Sequence, residues 1–140
     1  MGIGIILDVK GFQLEDSAGI KRWILNVIRK ENKETGEISI FFVRKSRIRE
    51  LNKRYLNHDY TTDVITFSHN FLDRINGEIY ICVDVVRENA KLYTMGNFKD
   101  EVGRIIIHGV LHLLGYKDNE EEEIKKMREK ENELIRYMKG

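Results

Sequence analysis

Proline is absent from this chain of 140 residues, and cysteine and tryptophan occur once each. The single cysteine, Cys82, excludes an intrachain disulfide and is typical of a reducing compartment. Cys82 lies within an apolar strand pattern, so we expect it to be a small buried side chain. No stretch approaches the roughly 18 apolar residues of a spanning helix, and the sequence therefore predicts no membrane segment.

An excess of charge of one sign is also lacking, since 24 Lys and Arg residues face 23 Asp and Glu residues. The formal net charge of +1 does not by itself indicate a nucleic-acid-binding protein. The contents of 41% hydrophobic and 34% charged residues are typical of a soluble globular protein. Residues 1–8 have no basic segment ahead of the apolar run, so we expect a first strand instead of a signal peptide, and a cytoplasmic protein. The length predicts one domain over residues 1–140.

Hydrophobic periodicity predicts four strands and five helices in the order β-α-β-α-β-β-α-α-α. No linker, internal repeat or low-complexity segment divides them. We therefore expect an α+β fold, a small mixed four-stranded sheet packed by about five helices. The predicted strands are residues 3–9, 38–43, 63–67 and 77–83, and the predicted helices are residues 14–33, 44–56, 84–93, 100–114 and 120–138.

The same patterns give several local assignments. Trp23 lies on the apolar stripe of the first helix and is expected in the core. Ser46 and Asp84 are expected to cap the second and third helices. Residues 34–37 are expected to form a turn, and residues 68–76 a loop. The last helix should bury one side, formed by Ile124, Met127, Leu134 and Met138.

The strongest chemical signal is an apolar run that contains two histidines four positions apart. On a helix, His108 and His112 project from one face, one turn apart, and two neutral imidazoles in this relation can bind one first-row metal ion. Gly115 is typical of a helix end, so Asp118 can turn back as a third ligand. The pattern His-x3-His-x2-Gly-x2-Asp has the ligand spacing of the metzincin proteases, with Asp replacing the last His.

This metal hypothesis has a structural alternative. Histidines in an apolar helix can be core residues, and Asp118 can belong to a polar loop that opens the next helix. Three protein ligands would leave a fourth position for water, which is the arrangement of a catalytic zinc site. Gly109 stands where zincin proteases carry their general-base Glu, so the general base is unidentified and a close approach by substrate or backbone is allowed. His58 and His69 lie in predicted loops and are expected to be surface residues.

Residues 44–54 form the most basic segment, with six Lys or Arg residues and one acidic residue, Glu50. A solvated helix face explains most segments of this kind. A basic helix near a metal site would also suit a polyanionic substrate, because Lys and Arg bind phosphates without a sequence code. The candidate RNA-binding residues are Arg47, Arg49, Lys53 and Arg54.

Four motifs, in matching order over nearly the full length, make the chain resemble the YbeY-type rRNA maturation factors. The His-Gly-x-Leu-His-Leu-x-Gly-Tyr string is the most specific of them. The motifs are Leu51-Asn-x-x-Tyr55, Asp59-x-x-Thr62-Asp63-Val64 with Phe67, Gly77-Glu-Ile79, and His108-Gly-x-Leu111-His112-Leu-x-Gly115-Tyr116.

The resemblance implies an α+β fold and a cytoplasmic, zinc-dependent endoribonuclease with one zinc ion per chain. It further implies specificity for single strands, a role in 16S rRNA 3′-end maturation and ribosome quality control, and the rRNA precursor, the ribosome or ribosomal proteins as partners. The chain departs from the family pattern at three places. Where the family usually has Asp-His after the Tyr, this chain has Lys117-Asp118, which makes the third ligand a carboxylate. Leu56 stands where the family usually has Arg, and Thr61 stands where it has Pro.

We therefore favour metal-assisted hydrolysis of RNA phosphodiester bonds. Zinc on His108, His112 and Asp118 would lower the pKa of a bound water and polarise a phosphoryl oxygen. Two alternatives stay open. One is a small zinc metallopeptidase, which the ligand spacing suggests. The other is a non-catalytic ribosome assembly or RNA-binding factor with a bound metal.

Overall fold

Residues 2–56, 62–93 and 97–139 are described by the structure, a computed structural model. Within these ranges the chain forms four strands and five helices in the predicted order. The predicted loop before residue 62, with His58, Asp59 and Thr61, lies outside the described residues. The strands are β1 (Gly2–Leu7), β2 (Glu34–Val43), β3 (Val64–Ser68) and β4 (Arg74–Cys82), and the helices are α1 (Ser17–Lys30), α2 (Lys45–Leu56), α3 (Val83–Tyr93), α4 (Phe98–Leu113) and α5 (Glu121–Lys139).

The four strands form one mixed sheet in the order β1-β2-β4-β3, which confirms the predicted α+β class. β1 pairs parallel with β2, β2 pairs parallel with β4, and β3 pairs antiparallel with β4. The parallel pairs need crossovers, which α1 and α2 supply, whereas the antiparallel pair needs only a short hairpin. β1 and β3 are the edge strands.

Each face of the sheet packs against different helices. The inner face carries Ile40 and Ile79, which belong to the main core together with residues of α1, α4 and α5. The outer face carries Val43 and Ile65, which form a smaller cluster with Ile48 of α2. The larger core therefore lies on the side of the sheet that holds α4, the helix with the two histidines.

α4 is buried along most of its length, and from Ile105 to Leu113 its sequence is apolar except for the two histidines. Its fully buried side chains include Ile106, Ile107 and Val110. Gly109 lets this helix approach the sheet closely, because a Cβ atom there would lie 2.7 Å from Cγ2 of Ile79. A helix buried on this scale leaves little of its surface for solvent, and His108 and His112 lie on that remaining strip.

Several expected core positions are confirmed. Trp23 is buried, and its indole Nε1 donates a hydrogen bond to the carbonyl of Leu134, which ties α1 to α5. Cys82 is fully buried, and burial raises the pKa of its thiol, as expected for an unreactive cysteine. Met127 is buried as predicted, but the prediction for Ile124 is wrong, since 43% of it is exposed where it lines a cleft described below.

Two predicted segments have different bounds. The first helix begins after Asp16, whose side chain caps it by accepting a hydrogen bond from Gly19 N, and it ends at Lys30 instead of residue 33. The predicted turn at residues 34–37 is wrong, because β2 begins at Glu34. Gly36, which suggested a turn, lies instead at a register shift of the strand between Thr35 and Ile38. The Asn76 side chain accepts a hydrogen bond from Glu37 N at this shift.

The expected caps of α2 and α3 are also wrong. α2 begins at Lys45, so Ser46 lies inside its first turn. Its cap comes from elsewhere in the chain, since Oδ2 of Asp84 accepts a hydrogen bond from Lys45 N at 3.1 Å. α3 begins at Val83, and Asp84 therefore lies within that helix while its carboxylate caps α2.

The predicted loop 68–76 is shorter than expected, because β4 begins at Arg74. The hairpin closes when His69 N donates to the carbonyl of Asn76 and Arg74 N donates to the carbonyl of Phe71. None of the helices in the described part of the chain is both long enough and apolar enough to cross a membrane.

Candidate metal centre

The structure brings together the three side chains that the sequence predicted as metal ligands. Nε2 of His108 and Nε2 of His112 lie 3.1 Å apart on the exposed strip of α4. Oδ2 of Asp118 lies 3.3 Å from each of these nitrogens. Metal binding by this set stays a prediction, but its geometry can be tested against the requirements of an ion.

The end of α4 orients His112. Gly115 has a φ of +102°, its N–H bonds to the carbonyl of His112, and Tyr116 N–H bonds to the carbonyl of Leu111, which together form a Schellman motif. This turn places the carbonyl of Tyr116 3.1 Å from Nδ1 of His112. A carbonyl only accepts, so Nδ1 carries the proton and Nε2 presents its lone pair towards Asp118.

Glu131 of α5 orients His108. Its Oε2 lies 2.6 Å from Nδ1 of His108, and its Oε1 accepts a hydrogen bond from Arg104 at 3.1 Å. Arg104 is held in turn by Oδ1 of Asn132 at 2.9 Å. A buried carboxylate on Nδ1 is the usual partner of a metal-binding histidine, because it fixes the tautomer that leaves Nε2 free.

The three donor atoms fit a tetrahedral metal ion. Ligands about 2.0–2.1 Å from zinc at tetrahedral angles are separated by about 3.4 Å, close to the 3.1 and 3.3 Å found here. When both rings are neutral with the proton on Nδ1, neither Nε2 has a proton to share, so two lone pairs and a carboxylate oxygen converge on one point. Such a set suits a cation.

Protonation of His108 competes with metal binding. Burial disfavours its charged form, but the hydrogen bond and charge of Glu131, with Asp63 and Asp118 adding to them, outweigh this and raise the pKa of His108. Without a metal, the chain therefore holds a proton on His108 more strongly than a free histidine does.

A cleft of ≈ 700 Å³ adjoins the triad on the side of His108 and Asp118. Glu101, two helical turns before His108, is only 4% exposed and lines this cleft. Burial raises the pKa of the Glu101 carboxyl, although nearby Arg104 opposes the shift. The other lining residues are Asp63, Arg104, Ile105, Ile124, Met127, Arg128, Glu131 and Asn132.

The four predicted RNA-binding residues lie on α2 and do not line this cleft. Arg47 forms an ion pair with Glu50 at 2.9 Å, and Arg54 lies over the ring of Tyr55, 5.9 Å from its centroid. Arg49 and Lys53 lie on the same helix, and all four are exposed or half-buried. The arginines that line the cleft are Arg104 and Arg128.

Gly109 has a packing role that the sequence did not suggest. It faces Ile79 of β4, on the inner side of α4, and not the open cleft. A Glu at this position would be forced into the sheet. The general-base arrangement of zincin proteases therefore does not fit this helix.

Some residues that support the metal centre were not predicted from the sequence, and they lie in segments far from α4 along the chain. Asn70 Nδ2 donates to the carbonyl of Leu113 at 2.7 Å and so ties the β3–β4 hairpin to the end of α4. The Tyr116 hydroxyl donates to Glu31 at 2.5 Å, and burial together with this carboxylate raises the pKa of Tyr116 to about 12. One feature of the sequence could have indicated Glu131: it is an acidic residue on the apolar stripe of the last helix, between Met127 and Leu134. No such feature indicated Asn70 or Glu31.

Comparisons with known proteins agree with this geometry. Residues 9–139 match the family model described as endoribonuclease YbeY. The chain is 42% identical to the endoribonuclease YbeY of Flavobacterium psychrophilum over 125 residues, which cover 89% of each protein. It is also 42% identical to the endoribonuclease YbeY of Bacteroides thetaiotaomicron, over 81% of this chain and 82% of that protein. The solution structure of TM1509 from Thermotoga maritima is similar to 97% of this chain, with a TM-score of 0.67 and 30% identity.

Proposed function

Because the chain belongs to the endoribonuclease YbeY family, we propose that it is a metal-dependent endoribonuclease that hydrolyses phosphodiester bonds of RNA. The observation that carries this proposal is the convergence of His108, His112 and Asp118 at the edge of an open cleft. A bound metal ion there would polarise a phosphoryl oxygen and activate water. Other residues of the centre orient the ligand side chains for metal binding.

Glu131 and the carbonyl of Tyr116 hold the two imidazoles in the tautomer that binds metal. Arg128 lines the cleft, is exposed, and has no ion-pair partner within residues 2–56, 62–93 and 97–139, so it is available for a phosphate. Glu101 and Asp63 also line the cleft, and among its lining residues they are the carboxyl groups that belong neither to the triad nor to its direct support.

The finer parts of the proposal concern the metal, the substrate and the place of action. We propose zinc, one ion per chain, since two imidazoles and one carboxylate with a free fourth position form a catalytic zinc ligand set. As the family resemblance implies, we propose single-stranded rRNA precursor as the substrate, in 16S rRNA 3′-end maturation and ribosome quality control in the cytoplasm. We also propose that residues 1–140 act as one domain, because one main core includes residues of α1, α3, α4 and α5.

The test begins with the metal content of purified protein and of His112→Ala and Asp118→Ala variants. We expect about one zinc per chain in the wild type, almost none in His112→Ala, and weakened binding in Asp118→Ala. His69→Ala is the matched control, because His69 is exposed and bonded to Glu78 outside the centre. A wild-type protein that binds no zinc when it is offered would contradict the hydrolase proposal.

The second step measures cleavage of a single-stranded RNA, the same RNA as a duplex, and a peptide library by the metal-loaded protein. We expect cleavage of the single strand alone, abolished by His112→Ala. Peptide cleavage would support the metallopeptidase alternative. RNA binding by a metal-loaded protein that cleaves neither substrate would instead indicate an assembly factor.

A further inference from the structure

The outer face of the sheet carries a set of aromatic side chains that the proposed hydrolysis does not use. Phe41 of β2 and Tyr80 of β4 are register partners, and their rings stack with centroids 4.6 Å apart and an interplanar angle of 8°. Phe67 of β3 contacts the Tyr80 ring edge-on at 6.0 Å, and Tyr55 of α2 contacts Phe67 at 5.6 Å. We call these four residues the aromatic row.

Helix α2 covers only part of this face. The cluster beneath it contains Val43, Ile48, Leu51, Ile65 and Cys82. Beyond that cluster, Phe41, Phe67 and Tyr80 are half-buried, and Tyr55 is 58% exposed. These rings are therefore partly open to solvent, and Tyr55 most of all, so a planar ligand can reach the row where α2 does not cover it.

Cations lie next to the exposed end of the row. Lys53 and Arg54 occupy the last turn of α2, and neither has an ion-pair partner in the part of the chain that the structure describes. Arg54 lies 5.9 Å from the ring centroid of Tyr55. Glu78, which is abreast of Phe67 on the same face, is hydrogen-bonded to His69 at 2.9 Å. Among the described residues, the charged side chains beside Tyr55 that have no ion-pair partner are therefore positive.

We propose that the aromatic row is a stacking platform for unpaired RNA bases, with Lys53 and Arg54 on the adjacent phosphates. Aromatic side chains on a sheet, together with nearby basic residues, are the combination by which proteins bind single-stranded nucleic acid. The cations favour a polyanion over an apolar protein segment as the occupant. The proposal rests on the proposed function and adds a binding site outside the catalytic cleft.

Strand β3 connects this platform to the metal centre. Asp63 lines the cleft and directly precedes β3, whereas Phe67 lies four residues further along it. Four residues of a strand span about 13 Å, a distance that a few unpaired nucleotides can bridge. β3 is an edge strand, so no other strand of the described residues lies between this face and the cleft on that side of the sheet. RNA held on the row would thus continue towards His108.

The test is the binding of a fluorescein-labelled, unstructured RNA of about 12 nucleotides, measured by anisotropy in the presence of a chelator so that the RNA stays intact. We expect Tyr55→Ala to weaken binding by about tenfold, since one lost base stack costs roughly this much, and Tyr55→Phe to retain it. Tyr137→Ala is the matched control, because Tyr137 is 55% exposed and lies against Lys30 at 3.7 Å on a different surface. Wild-type affinity in Tyr55→Ala would overturn the proposal.

Two further measurements separate stacking from general charge. Tyr80→Leu keeps an apolar side chain and loses the ring, and we expect it to weaken single-strand binding but not duplex binding. Replacing Lys53 and Arg54 by Gln should reduce the slope of log affinity against log salt by about 0.7 for each lost phosphate contact. Equal losses for single strand and duplex in Tyr80→Leu would contradict stacking.

Cleavage of the same RNA by the metal-loaded wild type tests the proposed function separately. If the wild type cleaves and Tyr55→Ala binds RNA normally, the platform is wrong and the endoribonuclease proposal stands. If binding depends on Tyr55 but no metal supports cleavage, the platform stands and the catalytic proposal fails.

Discussion

At the scale of single residues, the candidate metal centre divides into a part that the sequence predicts and a part that it does not. His108, His112, Gly115 and Asp118 lie within eleven residues, so helix periodicity and one helix-ending glycine bring them together. Glu131 comes from α5, 23 residues after His108. Its contact depends on how two helices pack, which local periodicity does not determine.

Removing the carboxylate of Glu131 tests whether this side chain orients His108 for metal binding. We expect Glu131→Gln to lower zinc affinity by about 10–100-fold, the usual effect of losing such a partner, because an amide holds the tautomer of His108 less firmly. The measurement is competition for zinc with a coloured chelator. Glu129→Gln is a control on the exposed side of the same helix, and an equal loss in both variants would contradict the assigned role.

Zinc affinity should also depend on pH through His108. Its pKa is raised in the metal-free chain, so the proton competes with the metal to a higher pH than at a free histidine, and affinity should increase as pH rises through that pKa. The stability of the metal-free chain should change in the opposite direction. A raised folded-state pKa contributes stability below the unfolded pKa of about 6.5, which is lost as pH rises through the folded value.

Zinc titrations and urea unfolding at several pH values between 5 and 9 measure both trends. His108→Gln should remove the corresponding part of the pH dependence of metal-free stability, whereas His69→Ala should retain it. If metal-free stability instead increased over the range in which zinc affinity increases, with His108 present, the charge of Glu131 would not dominate the environment of His108.

At the scale of elements, the sequence predicts the number, type and order of helices and strands, but not their ends. The apolar stripes of α1 and α4 and the alternation of β4 are local signals and are confirmed. The ends depend on partners from elsewhere. The side chain of Asp84, in α3, caps α2. The side chain of Asn76, in β4, accepts a hydrogen bond from Glu37 N near the irregular start of β2. The residue pattern of one segment cannot predict such contacts, because the partner residue lies in another segment.

The Asp84 cap gives a prediction for α2. Asp84→Ala should lower the free energy of unfolding by about 1 kcal/mol, the typical cost of a lost cap, because Lys45 N then loses its acceptor. The measurement is urea unfolding of the metal-free protein. Glu88→Ala is the matched control on the same helix, since Glu88 forms an exposed ion pair with the side chain of Lys45, at 3.6 Å, and should cost much less. Equal losses would mean that the charge near Lys45, not the cap, stabilises α2.

At the scale of the whole molecule, the metal centre joins segments that are far apart in the sequence. Its cleft is lined by Asp63 before β3, by α4, and by Glu131 of α5, and Asn70 ties the β3–β4 hairpin to the end of α4. An ion bound by His108, His112 and Asp118 would therefore hold α4, the loop between α4 and α5 and, through Glu131, α5 in one arrangement. Metal binding should stabilise the fold and not only the site.

Chelation tests this coupling. With free zinc at about 100 times its Kd, binding adds about 2.7 kcal/mol to stability, so removing the metal should lower Tm by roughly 5–10 °C for a domain of this size. His112→Ala should show almost no change on chelation, whereas Tyr137→Ala, remote from the centre, should show the full change. Calorimetric scans with and without chelator give both values. An unchanged Tm in a wild type shown to bind zinc would contradict the coupling, because it would mean that the unfolded chain binds the ion as well as the folded chain does.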